Sequence, residues 1–299
     1  MNDIIRSDVR IPARSGDGLD AWLYLPKTPG PHPAVVMAHG IGGIKAAGLA
    51  PFAEHFAGNG FAALVFDYRH WGRSDGTPRE LLSIRRQRED YRAALRWAER
   101  HGELDDRRLF VWGTSFAGMH ILDLAASEPS LAGAIAQCPL VDGLAGALAV
   151  SPRRGLRMGA AAIADQLGVL TGRPPRYLPV SVAPGTLGFI ATDDALTGLE
   201  RLTPRDGETW PNRITARSVL DISVHRPVRA ARRARCPMLL VVAEADTMAP
   251  TRPAVRAAAR APRGELYRSR GGHYDGYAGG RDHDNVLRVE LEFLRRHAA

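Results

Sequence analysis

The run LFVWGTSFAGMH sets Ser115 between a segment fit for a buried strand and a segment fit for a helix, with Gly113 two residues before it and Ala117 two after. Such a layout is a nucleophile elbow: a sharp strand-to-helix turn tolerates only small flanking residues and lifts the serine Oγ above the sheet edge. The same turn aims the Phe116 N–H, at the start of the helix, toward an oxyanion formed on the serine.

A serine at its free pKa is a poor nucleophile, so this chemistry requires a histidine base oriented by a carboxylate. Of ten histidines, His32, His39, His55, His70 and His101 precede the serine and His120 lies in its own helix. His225 falls in an irregular stretch, His283 opens the last helix and His297 ends it. His273 remains, in the glycine-rich SRGGHYDGY that follows the last strand, where loops at the carboxyl edge of a parallel sheet converge. Among carboxylates, Asp246 in LLVVAEADTMAP leaves another strand end and is preferred to Glu244. Asp142 in QCPLVDG is the rival acid, and Asp275 is too close in sequence to His273 to orient it.

The order Ser115, Asp246, His273 resembles that of the α/β-hydrolase family. VVMAHGIGG is similar to the family's HG oxyanion segment, and this resemblance implies that the Ile41 N–H is the second oxyanion donor. FDYRHWGRSDG resembles a family turn that lines the pocket, which puts His70 and Trp71 forward as substrate contacts. A narrower likeness, carried by KAAG, YRHWGRSDGTPRE, GETWPNRITAR and GGHYDGYAGG, is to the polyketide-transferase and thiohydrolase group. Ala117 departs from the general GxSxG form. The resemblance implies a serine hydrolase that cleaves an ester, thioester or lactone of a small to medium hydrophobic acyl group. An acyltransferase using an alcohol or amine acceptor is the alternative, and a non-catalytic ligand-binding protein of the same fold is the second.

These residues need a frame. Two amphipathic runs, Ile4–Pro12 and Leu19–Leu25, flank a Gly-Asp-Gly turn suited to a hairpin. Short apolar runs follow at Ala34–Ala38, Ala62–Phe66, Leu109–Trp112, Ala132–Ala136, Met238–Ala243 and Glu265–Tyr267. Between them, Leu49–Gly58, Arg85–His101, Ser115–Ala126, Pro253–Ala261 and Asn285–His297 carry helical spacing. The alternation predicts an α/β-hydrolase fold, with a mostly parallel central sheet and helices on both faces. Residues 1–142 and 236–299 would form its core. Residues 143–235 break the rhythm and read as a helical cap insertion, with helices at Gly159–Val169 and Val219–Arg235 and no regular structure over Pro174–Gly185.

Composition bounds the rest. At 299 residues, 45% hydrophobic and 24% charged, the chain is that of an ordinary globular protein. The net charge of +8 nominates an anionic partner, but residues 143–235 hold fourteen arginines against seven acids, so most of the excess is local to the insertion. Arg226, Arg229 and Arg233 fall there at helical spacing, a field suited to an anionic or carrier-bound acyl substrate. No nucleic-acid motif accompanies it. Two cysteines make no disulfide framework or metal cluster, and no cofactor or metal is expected. The lack of a leader-like or membrane-spanning run predicts a cytoplasmic protein that does not insert into membranes, and base rates alone favour a homodimer.

Overall fold

The computed structural model describes residues 4–13, 16–204 and 209–299. Its centre is an eight-stranded sheet in the order β1-β2-β4-β3-β5-β6-β9-β10. These strands are β1 (Ile4–Pro12), β2 (Gly18–Pro26), β3 (His32–Ala38), β4 (Ala62–Phe66), β5 (Leu104–Thr114), β6 (Gly133–Gln137), β9 (Met238–Ala243) and β10 (Gly264–Ser269), with β7 (Tyr177–Pro179) and β8 (Arg213–Thr215) forming a separate pair. β2 runs antiparallel to both its neighbours, and the pairings from β4 through β3, β5, β6 and β9 to β10 are all parallel.

The central strands read as continuous apolar runs because both faces are covered. Along β3 and β4, Ala34, Val36, Ala38, Leu64 and Phe66 enter the core on one face, with α2 (Ile84–Ala98), α3 (Gly118–Ser127) and α8 (Thr251–Arg260). Val35, Met37, Ala63 and Val65 enter the core on the other, with α1 (Ala50–Ala57) and α9 (His283–His297). In α9 the stripe Val286, Leu291, Phe293 and Leu294 is buried, and Val289 is partly so.

Between β6 and β9 the chain leaves the sheet, forming α4 (Gly143–Ala149), α5 (Pro152–Leu170), the β7–β8 pair, α6 (Ala195–Leu202) and α7 (Ser218–Val224). Three sequence expectations are corrected in this stretch. The helix expected from Gly159 starts at Pro152, which supplies its first turn. Pro174–Gly185 holds β7, whose partner β8 lies too far along the chain for local reading to supply. Val219–Arg235 is not one helix: α7 stops at Val224, and Pro227 opens the first of two short 3₁₀ turns, so Arg226, Arg229 and Arg233 do not share a helical face. Of the insertion motif GETWPNRITAR, Gly207 and Glu208 lie outside the described residues.

Candidate active site

β5 delivers Ser115 at the carboxyl edge of the sheet. Ser115 has φ +55°, a left-handed conformation that a non-glycine residue holds only when its surroundings enforce it. The enforcement is steric. A Cβ on Gly113 would lie 2.8 Å from Ile121, 2.9 Å from Ala117 Cβ and 2.9 Å from the Tyr91 hydroxyl. Ala117 therefore fits the last elbow position because Gly113 leaves room for its methyl group. Ser115–Ala117 forms a 3₁₀ turn that runs into α3, and Phe116 sits in that first turn, where an N–H has no intrahelical acceptor.

Two further loops converge on Ser115. The turn after β10 is built by Gly271, at φ +101°, and by Asp275, whose Oδ2 accepts the Gly272 N–H at 2.8 Å. This turn carries His273, 4% exposed, with Nε2 3.0 Å from Ser115 Oγ and Nδ1 2.8 Å from Asp246 Oδ2. The Asp246 side chain is 2% exposed, and its Oδ1 accepts the N–H groups of Met248 and Ala249, both at 2.8 Å. Burial works against a charged imidazole, but the adjacent Asp246 carboxylate outweighs it and holds His273 well above its ordinary value of 6.5.

The loop after β3 supplies the remaining side of the site. A Cβ on Gly40 would sit 3.0 Å from Ser115 Cβ, so this backbone approaches the serine as closely as glycine allows. The Gly40 carbonyl accepts from His39 Nδ1 at 2.9 Å, fixing the turn that carries Ile41 into the cavity wall. Lys45 anchors the far end. It is 1% exposed, its N–H bonds Asp67 Oδ1 at 2.6 Å, and its ammonium pairs with Asp67 Oδ2 at 3.1 Å and with Asp20. In the sequence Lys45 stands only as the first residue of KAAG, since its partners Asp20, in β2, and Asp67, just after β4, are distant in the chain.

Two sequence expectations do not reach the site. His70 is 2% exposed at φ +74°, its Nδ1 bonded to the Pro78 carbonyl and its Nε2 to Arg86, while Trp71 Nε1 donates to the Leu81 carbonyl. Both hold the turn after β4 together, and neither lines the cavity beside Ser115. Asp142 is likewise committed elsewhere. It caps α4 through the Ala145 N–H and takes both Nε and Nη2 of Arg226, at 2.9 and 2.8 Å.

Cys138 lies closer to the chemistry than its sequence position suggests, with Sγ 3.8 Å from His273 Nε2. Cys138 and Cys236 are both buried free thiols.

Ser115 and His273 open onto a cavity of about 370 Å³ between the sheet edge and the segment 143–235. Its walls are mainly apolar, including Ile41, Leu140, Met158, Phe189 and Ile222. A smaller space of about 40 Å³ touches the same two residues along the Gly40–Gly43 loop. Among the described residues no group of three or more His, Cys, Asp or Glu side chains is placed to hold a metal ion, and no helix is long and apolar enough to cross a membrane.

Residues 15–180 match the X-Pro dipeptidyl-peptidase (S15) family. The quorum-quenching protein AidA of Acinetobacter baumannii (strain MDR-ZJ06) is 37% identical over 297 residues, covering 99% of this chain and 97% of its own. The polyketide transferase grgF of Penicillium sp is 30% identical over 302 residues, covering 98% and 97%. The crystal structure of the alpha/beta hydrolase GrgF from Penicillium sp. sh18 superposes with a TM-score of 0.84 at 28% identity, over 98% of this chain and 99% of that one. With this match, these near-full-length relatives and this sheet order, the chain belongs to the S15 family of α/β-hydrolases and is a hydrolase of the serine-dependent type.

Proposed function

We propose that the chain cleaves an ester, thioester or lactone of a small to medium hydrophobic acyl group through an acyl-serine intermediate. The observation that carries this reading is the contact series Asp246–His273–Ser115 at the mouth of the apolar 370 Å³ cavity. His273 Nε2 takes the hydroxyl proton as Ser115 Oγ attacks the acyl carbonyl. Asp246 holds the imidazole by Nδ1 and stabilises its charge. The N–H groups of Ile41 and Phe116 receive the oxyanion. His273 then returns the proton to the leaving group, and a water activated by the same nitrogen releases the acid.

The smaller space supports water as acceptor, since about 40 Å³ holds on the order of three water molecules and no sizeable alcohol. Two of its lining residues, His39 and Trp210, each keep a buried ring nitrogen without a protein partner. Acyl transfer is the second reading, favoured by the polyketide-transferase relative. In both readings residues 143–235 act as a cap, the substrate is a small acyl compound, free or carrier-bound, and the same residues do the work.

A fluorophosphonate probe tests the nucleophile: the wild-type chain is labelled and Ser115→Ala is not. Absence of labelling in both would leave the fold as a ligand-binding scaffold. A panel of esters, thioesters, lactones and amides, assayed with and without an alcohol acceptor, separates hydrolysis from transfer.

A further inference from the structure

Among the residues lining the larger cavity, Arg154 and His273 carry the only ionisable side chains. Arg154 stands in the first turns of α5, across from the catalytic edge. Its Nε is buried and meets no acceptor in the protein, and among the described residues no carboxylate pairs with it. Other arginines of the same segment are engaged: Arg213 with Glu80 at 2.9 Å, Arg217 with Asp165 at 3.0 Å and Arg226 with Asp142 at 2.8 Å. The hydroxyls of Thr192 and Thr247 on the cavity wall both donate to Asp194 Oδ1.

A guanidinium brings five donors in a planar fork matched to a carboxylate, and a buried donor left unmet is costly. Among the described residues nothing accepts from Arg154 Nε, so an anionic group on a ligand is the partner that its fork fits. Apolar side chains of Leu140, Val150, Met158, Phe189 and Ile222 line the same space, a surface suited to methylene groups.

We infer that Arg154 is a specificity-determining residue that binds a carboxylate at the end of the acyl chain remote from the scissile carbonyl. The preferred substrates are then monoacyl derivatives of dicarboxylic acids. This inference rests on the acyl-serine reading of Ser115 and adds the class of acyl group to it.

The test compares 4-nitrophenyl hemiesters of succinic, glutaric, adipic and suberic acids with 4-nitrophenyl alkanoates of matching length. The wild type should favour the hemiester of best length by about tenfold or more in kcat/KM, as a hydrogen bond to a charged group implies. Arg154→Met should abolish that preference through KM, bringing the hemiester to alkanoate ratio of kcat/KM to about one. The exposed neighbour Arg153, replaced in Arg153→Met, should leave the preference intact. Should Arg154→Met not fold, competitive inhibition of the wild type by free dicarboxylates against monocarboxylates reads the same contact, and equal inhibition would overturn the inference. Ser115-dependent hydrolysis with no carboxylate preference at any length, or a preference that survives in Arg154→Met, overturns the inference alone. Turnover no faster than that of Ser115→Ala with every ester overturns the acyl-serine reading, and this inference with it.

Discussion

His273 donates from Nδ1 to Asp246 Oδ2 across 2.8 Å with both side chains almost wholly withdrawn from solvent. A base must be neutral to accept the serine proton, and here the carboxylate raises the imidazole above 6.5 against the opposing effect of burial. Activity should therefore rise with pH along a limb whose midpoint lies above 6.5. Asp246→Asn removes the larger raising charge and leaves burial opposed only by Cys138, so the midpoint of the residual activity should move down, with kcat reduced about 10⁴-fold. The pH profile of kcat/KM on a neutral ester reads both; a midpoint unmoved by the substitution would detach Asp246 from the base.

Asp142→Ala offers the complementary result. Its carboxyl is held below the usual range because the bonds from Arg226 and the α4 N–H groups outweigh burial. Losing the cap alone costs about 1 kcal/mol, seen as a lower Tm. Labelling of Ser115 by a fluorophosphonate should survive. If labelling vanished in a folded Asp142→Ala chain, the acid assignment would have to be revised.

Gly40→Ala tests the close approach of the two loops. The added methyl group meets Ser115 Cβ at 3.0 Å and the Thr114 carbonyl at 3.3 Å, so the loop carrying Ile41 must retreat. A displacement of a few tenths of an ångström should lower kcat by about tenfold while KM for a short ester changes little. Steady-state kinetics on a folded variant decide it.

Glu290, wholly buried on α9, accepts the Trp112 Nε1–H at 3.0 Å, and burial pushes its carboxyl from 4.5 up to about 8. A carboxyl raised on folding binds its proton more tightly in the native chain. The stability it carries is complete below about pH 4.5 and is lost as pH rises through 8, an effect of about 5 kcal/mol across that window. Glu290→Gln keeps an acceptor for Trp112 without the ionisable proton. Its Tm should exceed that of the wild type at alkaline pH, and the gap should close in acid.

The contrast between what local sequence reveals and what it conceals follows from distance along the chain. Ser115, Asp246 and His273 were legible because each belongs to a loop that directly follows its own strand, and small residues mark two of those loops. Lys45 was not, since it sits among glycine and alanine and gains its meaning only from Asp20 and Asp67. The resemblance of the turn puts His70 and Trp71 forward as substrate contacts, whereas their partners Pro78, Leu81 and Arg86 hold them in the fold. Between β6 and β9 helical spacing was overridden by Pro227, and a strand was hidden until its partner came into register. Arginine count foretold charge but not pairing.

Strands β6 and β9 are hydrogen-bonded neighbours in the sheet, yet α4 to α7 and the β7–β8 pair all lie between them in the chain. Asp142 and Arg226, joined by their ion pair, bring the two ends of that excursion together at the carboxyl edge, and Pro227–Arg233 then crosses to the opposite end of the sheet, where β9 starts. That geometry makes the segment exchangeable. A corresponding stretch from a relative, spliced between Asp142 and Arg226, would carry a different cavity roof to an unaltered Ser115, Asp246 and His273, so selectivity in this group is free to diversify by transplantation while the reactive machinery stays fixed.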